Sequence, residues 1–181
     1  AMARIRVAAA AWGCLAGLAG ALHPRPDHED VASYARWLVH ESDYATVSTH
    51  HGQDVFGNIA SISDGDGYEH STGVIYTFLP GEDATYQQLM KDNRVALAFS
   101  EKAVGNGQSG GCFWSTAESP PCGRVTISGR LTMVPEENKT QALRYLYARH
   151  PEMKGWNKAH ADFAPFWLAP ENITDFLSTS L

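Results

Sequence analysis

Apolar and polar residues alternate along several stretches of this chain, and the pattern predicts a mainly β protein. The clearest case is residues 124–134, in which one face is apolar and the other carries Thr, Ser and Arg. The positions on the apolar face are Val125, Ile127, Gly129, Leu131 and Met133. A period of two is typical of a strand with one buried face. Gly129, at its centre, predicts a bend or a bulge, as barrel closure often needs.

Five further segments have the composition of strands. They are rich in apolar, β-branched or aromatic residues, and most are bounded by turn-forming residues. They cover residues 45–49, 55–63, 74–79, 95–99 and 163–168. Residues 104–123, which contain five glycines, are predicted to form a long loop.

Three short helices are predicted from apolar residues at helical spacing. The first follows Asp27, which we expect to be its N-cap, and is broken at residues 42–43. The second covers residues 83–91. The third starts with Pro135 at its first position and ends before Pro151. Six strands in mostly turn-linked pairs, with three helices, predict a mainly antiparallel β-barrel with peripheral short helices.

The first 21 residues have the features of a secretory signal peptide. Arg4 and Arg6 precede a short apolar run, and Ala19-Gly20-Ala21 forms a small-residue cleavage site. We expect cleavage after Ala21, which leaves a single domain over residues 22–181 with a flexible leader at residues 22–26. The alternative is an N-terminal helix that belongs to the core.

Composition excludes some classes of function. The chain has 181 residues, enough for one domain with a sizeable core. Its formal net charge is −6, from 14 basic and 20 acidic residues, which disfavours nucleic acid as a partner. After the N-terminus there is no run of about twenty apolar residues, so no membrane span is expected.

Cysteine and asparagine positions agree with secretion. Cleavage would remove Cys14 and leave Cys112 and Cys122, which we expect to form a disulfide in an oxidising compartment. The alternative is two unlinked thiols. Asn138 and Asn172 each begin an Asn-x-Thr sequon and are the candidate glycan acceptors.

Residues 149–156, Arg-His-Pro-Glu-Met-Lys-Gly-Trp, closely resemble a segment of the CREG family (cellular repressor of E1A-stimulated genes). Residues 45–49 with 56–61 resemble the opening hairpin of the FMN-binding split barrels, the pyridoxamine 5'-phosphate oxidase-like superfamily. Residues 122–131 are similar to the central strand that both groups share. The resemblance covers roughly residues 30–172.

The resemblance implies a split β-barrel and a homodimer, with the flavin site, if one is present, at the dimer interface. It also implies a secreted or endolysosomal glycoprotein that acts by binding rather than by catalysis. A glycan-dependent sorting receptor or a cell-surface receptor is then the expected kind of partner. Relatives continue past the second sequon with another strand. Two alternatives arise from this difference: this domain lacks its last strand, or the sequence is truncated.

The flavin-binding motif is poorly matched. In flavin-binding relatives, a motif after the third strand binds the FMN phosphate and ribityl chain; here the matching residues 80–89 keep Leu89 and a polar Gln88. Glu82 and Asp83 stand where the phosphate would approach, and like charges repel. The remaining candidates for FMN contacts are Ser61, Ser63, Thr77 and Gln88, with ordinary strand hydroxyls as the alternative. We expect no catalytic residue and no cofactor, with an FMN-dependent oxidoreductase of the pyridoxamine 5'-phosphate oxidase type as the alternative.

Histidines give weaker indications. His50 and His51 are the residues that suggest a metal site, or a small-ligand or haem-binding barrel. Adjacent residues in a turn rarely converge on one ion, and no third ligand is marked, so we expect no metal. A pH-sensing role is conceivable for several histidines, but their number alone does not indicate it.

Overall fold

The structure is a computed structural model, and it describes residues 23–107, 112, 114–156 and 162–179. Its described residues form one sheet of eight antiparallel strands in the order β6-β7-β3-β2-β1-β4-β5-β8. The strands are β1 Tyr44–His51, β2 Asp54–Asp66, β3 His70–Pro80, β4 Arg94–Ser100, β5 Arg124–Arg130, β6 Thr132–Met133, β7 Phe163–Leu168 and β8 Ile173–Thr179. The predicted fold class, mainly antiparallel β with peripheral short helices, is therefore confirmed. The predicted signal peptide and its cleavage site lie outside the described residues.

In the described residues, three α-helices lie around the sheet. They are α1 Val31–Glu41, α2 Ala84–Leu89 and α3 Glu136–Arg149. Short 3-10 turns cover Glu101–Gly107, Pro151–Gly155 and Pro170–Asn172. No helix in the described part of the chain has both the length and the apolarity that crossing a membrane requires.

The longest predicted strand is in fact two strands. β5 pairs with β4 and β8, whereas β6 pairs with β7 at the other end of the sheet order. Between them Leu131 is buried, and its N–H donates to the Asn93 carbonyl. The predicted irregularity at Gly129 is confirmed: the pairing with β8 shifts there, and a Cβ would lie 2.5 Å from the Asn172 carbonyl oxygen. Met133 is 40% exposed, so its assignment to the buried face was wrong.

β8 was not predicted as a strand. Together with β6, it raises the number of strands from the six that were predicted to eight in the described residues. It pairs with β5 along its length, from Gly129 opposite Ile173 to Arg124 opposite Thr179. It is an edge strand with one neighbour in the sheet, and most of its residues are exposed. The alternation that marks a half-buried strand is therefore missing from its sequence.

Two predicted helix starts shift by a few residues. The N-cap of α1 is Asp30, which accepts from the Ser33 N–H, whereas Asp27 accepts from Glu29 ahead of the helix. Pro135 is the N-cap of α3 and not its first helical residue. Several polar residues near a helix start can each accept an N–H, and only the packed backbone selects one of them.

The segment before α1 is anchored, so the prediction of a flexible leader was wrong for residues 23–26. Its contacts involve two buried acids. His23 Nδ1 lies 2.7 Å from Glu41, and the Arg25 guanidinium lies 2.9 Å from Glu101. Glu101 is fully buried and also accepts from the Tyr34 hydroxyl at 2.8 Å and from the Gly123 N–H at 3.0 Å.

The core has two parts. The larger part fills the space between α1 and the curled sheet, with Tyr34, Leu38, Ile62 and Phe166 among its most buried members. The second part lies under α3. Its buried members are Tyr76, Phe78, Val134, Ala142, Tyr145, Leu146 and Met153. Helices thus pack on both faces of the sheet, and both faces therefore need apolar side chains.

A disulfide joins Cys112 and Cys122, both buried, next to the Gly123 that contacts Glu101. We predict that replacing both cysteines by Ala lowers the free energy of unfolding by about 2–3 kcal/mol, because the bond restricts the unfolded chain. Urea denaturation followed by tryptophan fluorescence measures this difference. Equal stability of the variant and the oxidised protein would contradict the prediction.

Candidate functional site

The hydroxyls predicted to contact FMN do not converge on one point. Ile62 of β2 is paired with Thr77 of β3, and Ser63 is paired with Tyr76. Side chains alternate along a strand, so Thr77 lies on the face of Ile62, while Ser61 and Ser63 lie on the opposite face. The sheet therefore separates Thr77 from the two serines.

Two of these hydroxyls, those of Thr77 and Ser63, make hydrogen bonds within the protein. Thr77 is 3% exposed and donates to the Ser61 carbonyl at 2.9 Å. Ser63 is fully buried, and its hydroxyl lies 3.0 Å from the carbonyl oxygens of both Gly65 and Tyr145. Each hydroxyl thus satisfies a backbone acceptor, as buried polar groups usually do.

Gln88, the fourth candidate, lies on α2 and is buried. Its side-chain carbonyl accepts from the Thr49 hydroxyl, and its Nε2 lies 3.4 Å from His51 Nδ1. The amide therefore connects α2 to β1. His51 lies at the end of β1 beside this amide, where the described residues supply no third metal-binding side chain.

A pocket of about 270 Å³ lies beside Ser61, one of the four candidate FMN residues. Its walls are mostly apolar: Ile59, Ala60, Phe78, Leu79, Pro80, Met153, Trp156 and Phe163. Trp156 is nearly parallel to Phe78, with ring centres 6.3 Å apart, and lies 5.2 Å from Phe163. Among its described lining residues there is no lysine or arginine, and Asp83 is the charged one.

The Asp83 carboxylate is held in place by the start of α2. It accepts from the Thr85 N–H at 2.7 Å and from the Tyr86 N–H, so it is the N-cap of that helix. Asn58 donates to it at 3.2 Å. The Asp83 side chain is therefore a structural cap with a fixed position.

Within residues 149–156, Arg149, His150 and Met153 are buried, and Arg149 is the most connected of them. Its Nη2 donates to the His40 carbonyl at 2.8 Å and to the Gly67 carbonyl at 3.0 Å, and its Nη1 donates to the Ser42 carbonyl at 3.4 Å. The guanidinium carbon lies 3.7 Å from the centre of the Tyr68 ring. The side chain is 1% exposed. Arg149 therefore joins α3 to the end of α1 and to the turn between β2 and β3.

His150 and Met153 continue this attachment. His150 Nε2 lies 2.7 Å from the Ile62 carbonyl oxygen, so this nitrogen carries the hydrogen. Met153 is 1% exposed and belongs to the core under α3. These buried side chains attach the segment to the rest of the protein, and its last residue, Trp156, forms a wall of the pocket beside Ser61.

A buried histidine that the sequence did not single out lies in the same network. His40 Nδ1 lies 2.8 Å from an oxygen of Asp64, and His40 Nε2 lies 3.0 Å from the Tyr68 carbonyl oxygen. Both oxygens are acceptors, so the imidazole satisfies both only when it carries two hydrogens. The hydrogen bond to Asp64 raises the pKa of His40, although burial acts in the opposite direction.

His23, His40 and Glu41 are close enough to be considered as metal ligands, since their ligand atoms lie within 4.8 Å of one another. However, both nitrogens of His40 already face oxygen acceptors. His23 Nδ1 is 2.7 Å from Glu41 Oε1. The described cluster is therefore arranged as a network of hydrogen bonds.

Comparison with known proteins gives the family. The family description "CREG, beta-barrel" matches residues 26–174, which is most of the chain. The chain belongs to the CREG family. It is 31% identical to CREG1 of Gallus gallus over 169 residues, covering 89% of this chain and 82% of that protein. It is also 31% identical to CREG2 of Mus musculus over 168 residues, but it spans 57% of that protein's length.

Solved structures show the fold of this CREG-family chain to be a split barrel. A FAD-binding protein from Mesorhizobium loti matches with a TM-score of 0.55, at 12% identity, over 81% of this chain and 90% of that one. A haem-binding protein from Mycobacterium smegmatis matches with 0.56, at 15%, over 87% and 60%. A protein assigned as a pyridoxamine 5'-phosphate oxidase from Listeria innocua matches with 0.51, at 10%, over 82% and 98%. At these identities the likeness concerns the fold alone.

The contacts of Arg149 lead to a stability prediction. Replacing it by Met leaves three backbone carbonyls without their donor, so we expect a loss of about 3–5 kcal/mol in the free energy of unfolding. Arg149→Lys should recover part of it, because one ammonium cannot reproduce the planar set of donors. Arg144→Met is the control, since Arg144 is 61% exposed on the same helix. Urea denaturation that gave equal losses for positions 144 and 149 would disprove this role.

His40 leads to a prediction about pH. Its pKa is raised in the folded protein, so its contribution to stability is complete below about pH 6.5, the ordinary histidine value, and is lost as pH rises through the folded value. The stability gap between wild type and His40→Gln should therefore be wider at acidic pH and narrower at alkaline pH. His70→Gln, at an exposed position on β3, is the control. Urea denaturation at several pH values measures the gap, and one that stays constant would contradict the prediction.

Proposed function

We propose that this protein is a secreted or endolysosomal glycoprotein that acts by binding other molecules, and that its flavin site is degenerate. The observation that carries the proposal is the set of groups around the pocket beside Ser61. A flavin phosphate is a dianion that needs donors and positive charge, whereas among the described residues that line this pocket the charged side chain is Asp83.

The four candidate FMN residues do not fit that cofactor as a set. Ser63, Thr77 and Gln88 are buried and already have partners in the protein. Trp156 and Met153 occupy one side of the pocket, where they pack on Phe78 and on the core under α3. Binding of FMN would require these aromatic contacts to open and Asp83 to be neutralised. We derive no catalytic step from this site.

Several features support the proposed location. The predicted signal peptide over residues 1–21 and the disulfide between Cys112 and Cys122 are both typical of the secretory pathway. Asn138 lies in the first turn of α3 and Asn172 at the end of a 3-10 turn, and both are partly exposed. Glycans at these positions would suit a sorting receptor or a cell-surface receptor as the partner.

A homodimer is part of the proposal. Apolar side chains are exposed on two strands: on β2, Val55 is 72% and Ile59 59% exposed, and on β8, Leu177 is 64% exposed. Exposed apolar groups of this kind are what a subunit interface covers. A second copy of the chain is the occupant that the family resemblance implies.

The second candidate function is an FMN-dependent oxidoreductase, which the flavin-binding structural neighbours favour. The haem-binding neighbour likewise favours a haem-binding barrel. Both belong to the same superfamily of folds, and fold alone does not carry chemistry.

The test is a titration of purified glycoprotein with FMN and, separately, with haem. We expect no saturable quenching of flavin fluorescence and no shifted Soret band up to high micromolar concentration, because the described lining residues of the pocket offer no cation to the phosphate. The control is a flavin-binding split-barrel protein under the same conditions. Yellow protein after purification, or binding of FMN at low micromolar concentration, would replace the proposal by the oxidoreductase. Glycosidase treatment that left the mass unchanged would remove the glycoprotein part.

A further inference from the structure

An apolar groove of about 190 Å³ lies on another part of the molecule, between α1, β3 and β8. It shares no lining residue with the pocket beside Ser61. On α1 it is lined by Ala32, Ala35 and Val39, which lie on one helical face. The two alanines are short, so the helix leaves space above the sheet.

The groove is an unfilled part of the core side of the sheet. Ile127 of β5 and Phe176 of β8 are paired, so their side chains lie on the same face. Ile127 is 7% exposed, yet Phe176 is 47% exposed. Opposite them, Ile75 of β3 is buried and Gly73 adds no side chain. An aromatic side chain on a core-facing position is therefore left open to whatever enters the groove.

Two charged side chains, Asp64 and Arg36, line the groove, and only one of them is already compensated by partners. Asp64 lies at its floor, 2% exposed, with His40 at 2.8 Å and Arg149 at 3.6 Å, so two basic groups compensate its charge. Arg36 is exposed and lines the groove as well. Within the part of the chain that the structure describes, Arg36 makes no ion pair or hydrogen bond with another side chain. The groove thus combines apolar walls with one available cation.

We propose that this groove binds a compact aromatic monocarboxylate, with the ring between Ile75, Ile127 and Phe176 and the carboxylate on Arg36. The size agrees, because an apolar cavity of about 150 Å³ is known to hold one benzene ring. The charge agrees too, since guanidinium groups bind carboxylates through paired hydrogen bonds. This site is independent of the proposed function, and its failure would leave the flavin question untouched.

Phenylacetate and its neutral and cationic analogues, phenylacetamide and phenethylamine, are the probes, measured by calorimetry and by chemical shifts on the whole protein. We expect phenylacetate to bind best. Arg36→Gln should weaken phenylacetate about five- to tenfold and leave phenylacetamide unchanged. Arg94→Gln is the matched control, because Arg94 is exposed, lies outside the groove and pairs with Asp92. It should change neither affinity.

A second variant tests the walls. Ala32 is exposed at the rim of the groove, so Ala32→Leu should fill the space without disturbing the core and abolish binding of all three probes. Thermal denaturation confirms that the variant is folded. Phenylacetate affinity weaker than about 1 mM in the wild type would overturn the proposal. So would equal affinities for the acid and the amide, preference for the amine, or unchanged binding by Ala32→Leu.

Discussion

The buried guanidinium of Arg149 is the interaction on which most of this architecture depends. A charged group away from water is costly unless hydrogen bonds surround it, and removing its partners leaves that cost uncompensated. Here the acceptors are carbonyls at the end of α1 and in the turn after β2, with Asp64 3.6 Å away. Three elements that are distant in sequence are therefore held in one arrangement by a single side chain.

The position of Arg149 also fixes the course of the chain beyond α3. Pro151 ends α3, His150 bonds to the Ile62 carbonyl, and the short 3-10 turn then directs Met153 and Trp156 towards β2 and β3. Met153 and Trp156 thus form part of the wall of the pocket beside Ser61. A split-barrel fold does not by itself bring a flavin site, because function resides in a site and not in a fold.

A second buried charge organises the opposite side of the molecule. Glu101 receives Tyr34 from α1, the Gly123 N–H beside the disulfide, and Arg25 from the N-terminal segment. Burial, with the hydrogen bond to Glu101, raises the pKa of Tyr34, so the phenol remains a donor. Gly123 is required because a Cβ there would lie 1.6 Å from the Tyr34 hydroxyl. The contact between Arg25 and Glu101 explains why the N-terminal segment, whose sequence resembles a polar, proline-containing leader, is ordered.

The sequence by itself determined the fold class, most of the strands and the family. The alternation at Val125, Ile127 and Leu131 and the motif at residues 149–156 are local signals. It did not determine the edge strand β8, whose exposed residues carry no alternation, or the break at Leu131, which depends on two different partners. Only the tertiary structure decided that Thr77 and Ser63 face opposite sides of the sheet. It alone decided that His40, Asp64 and Arg149 meet inside the protein. Hydrogen bonds between residues so far apart along the chain depend on how the sheet curls and how the helices pack, and no short stretch of sequence records that.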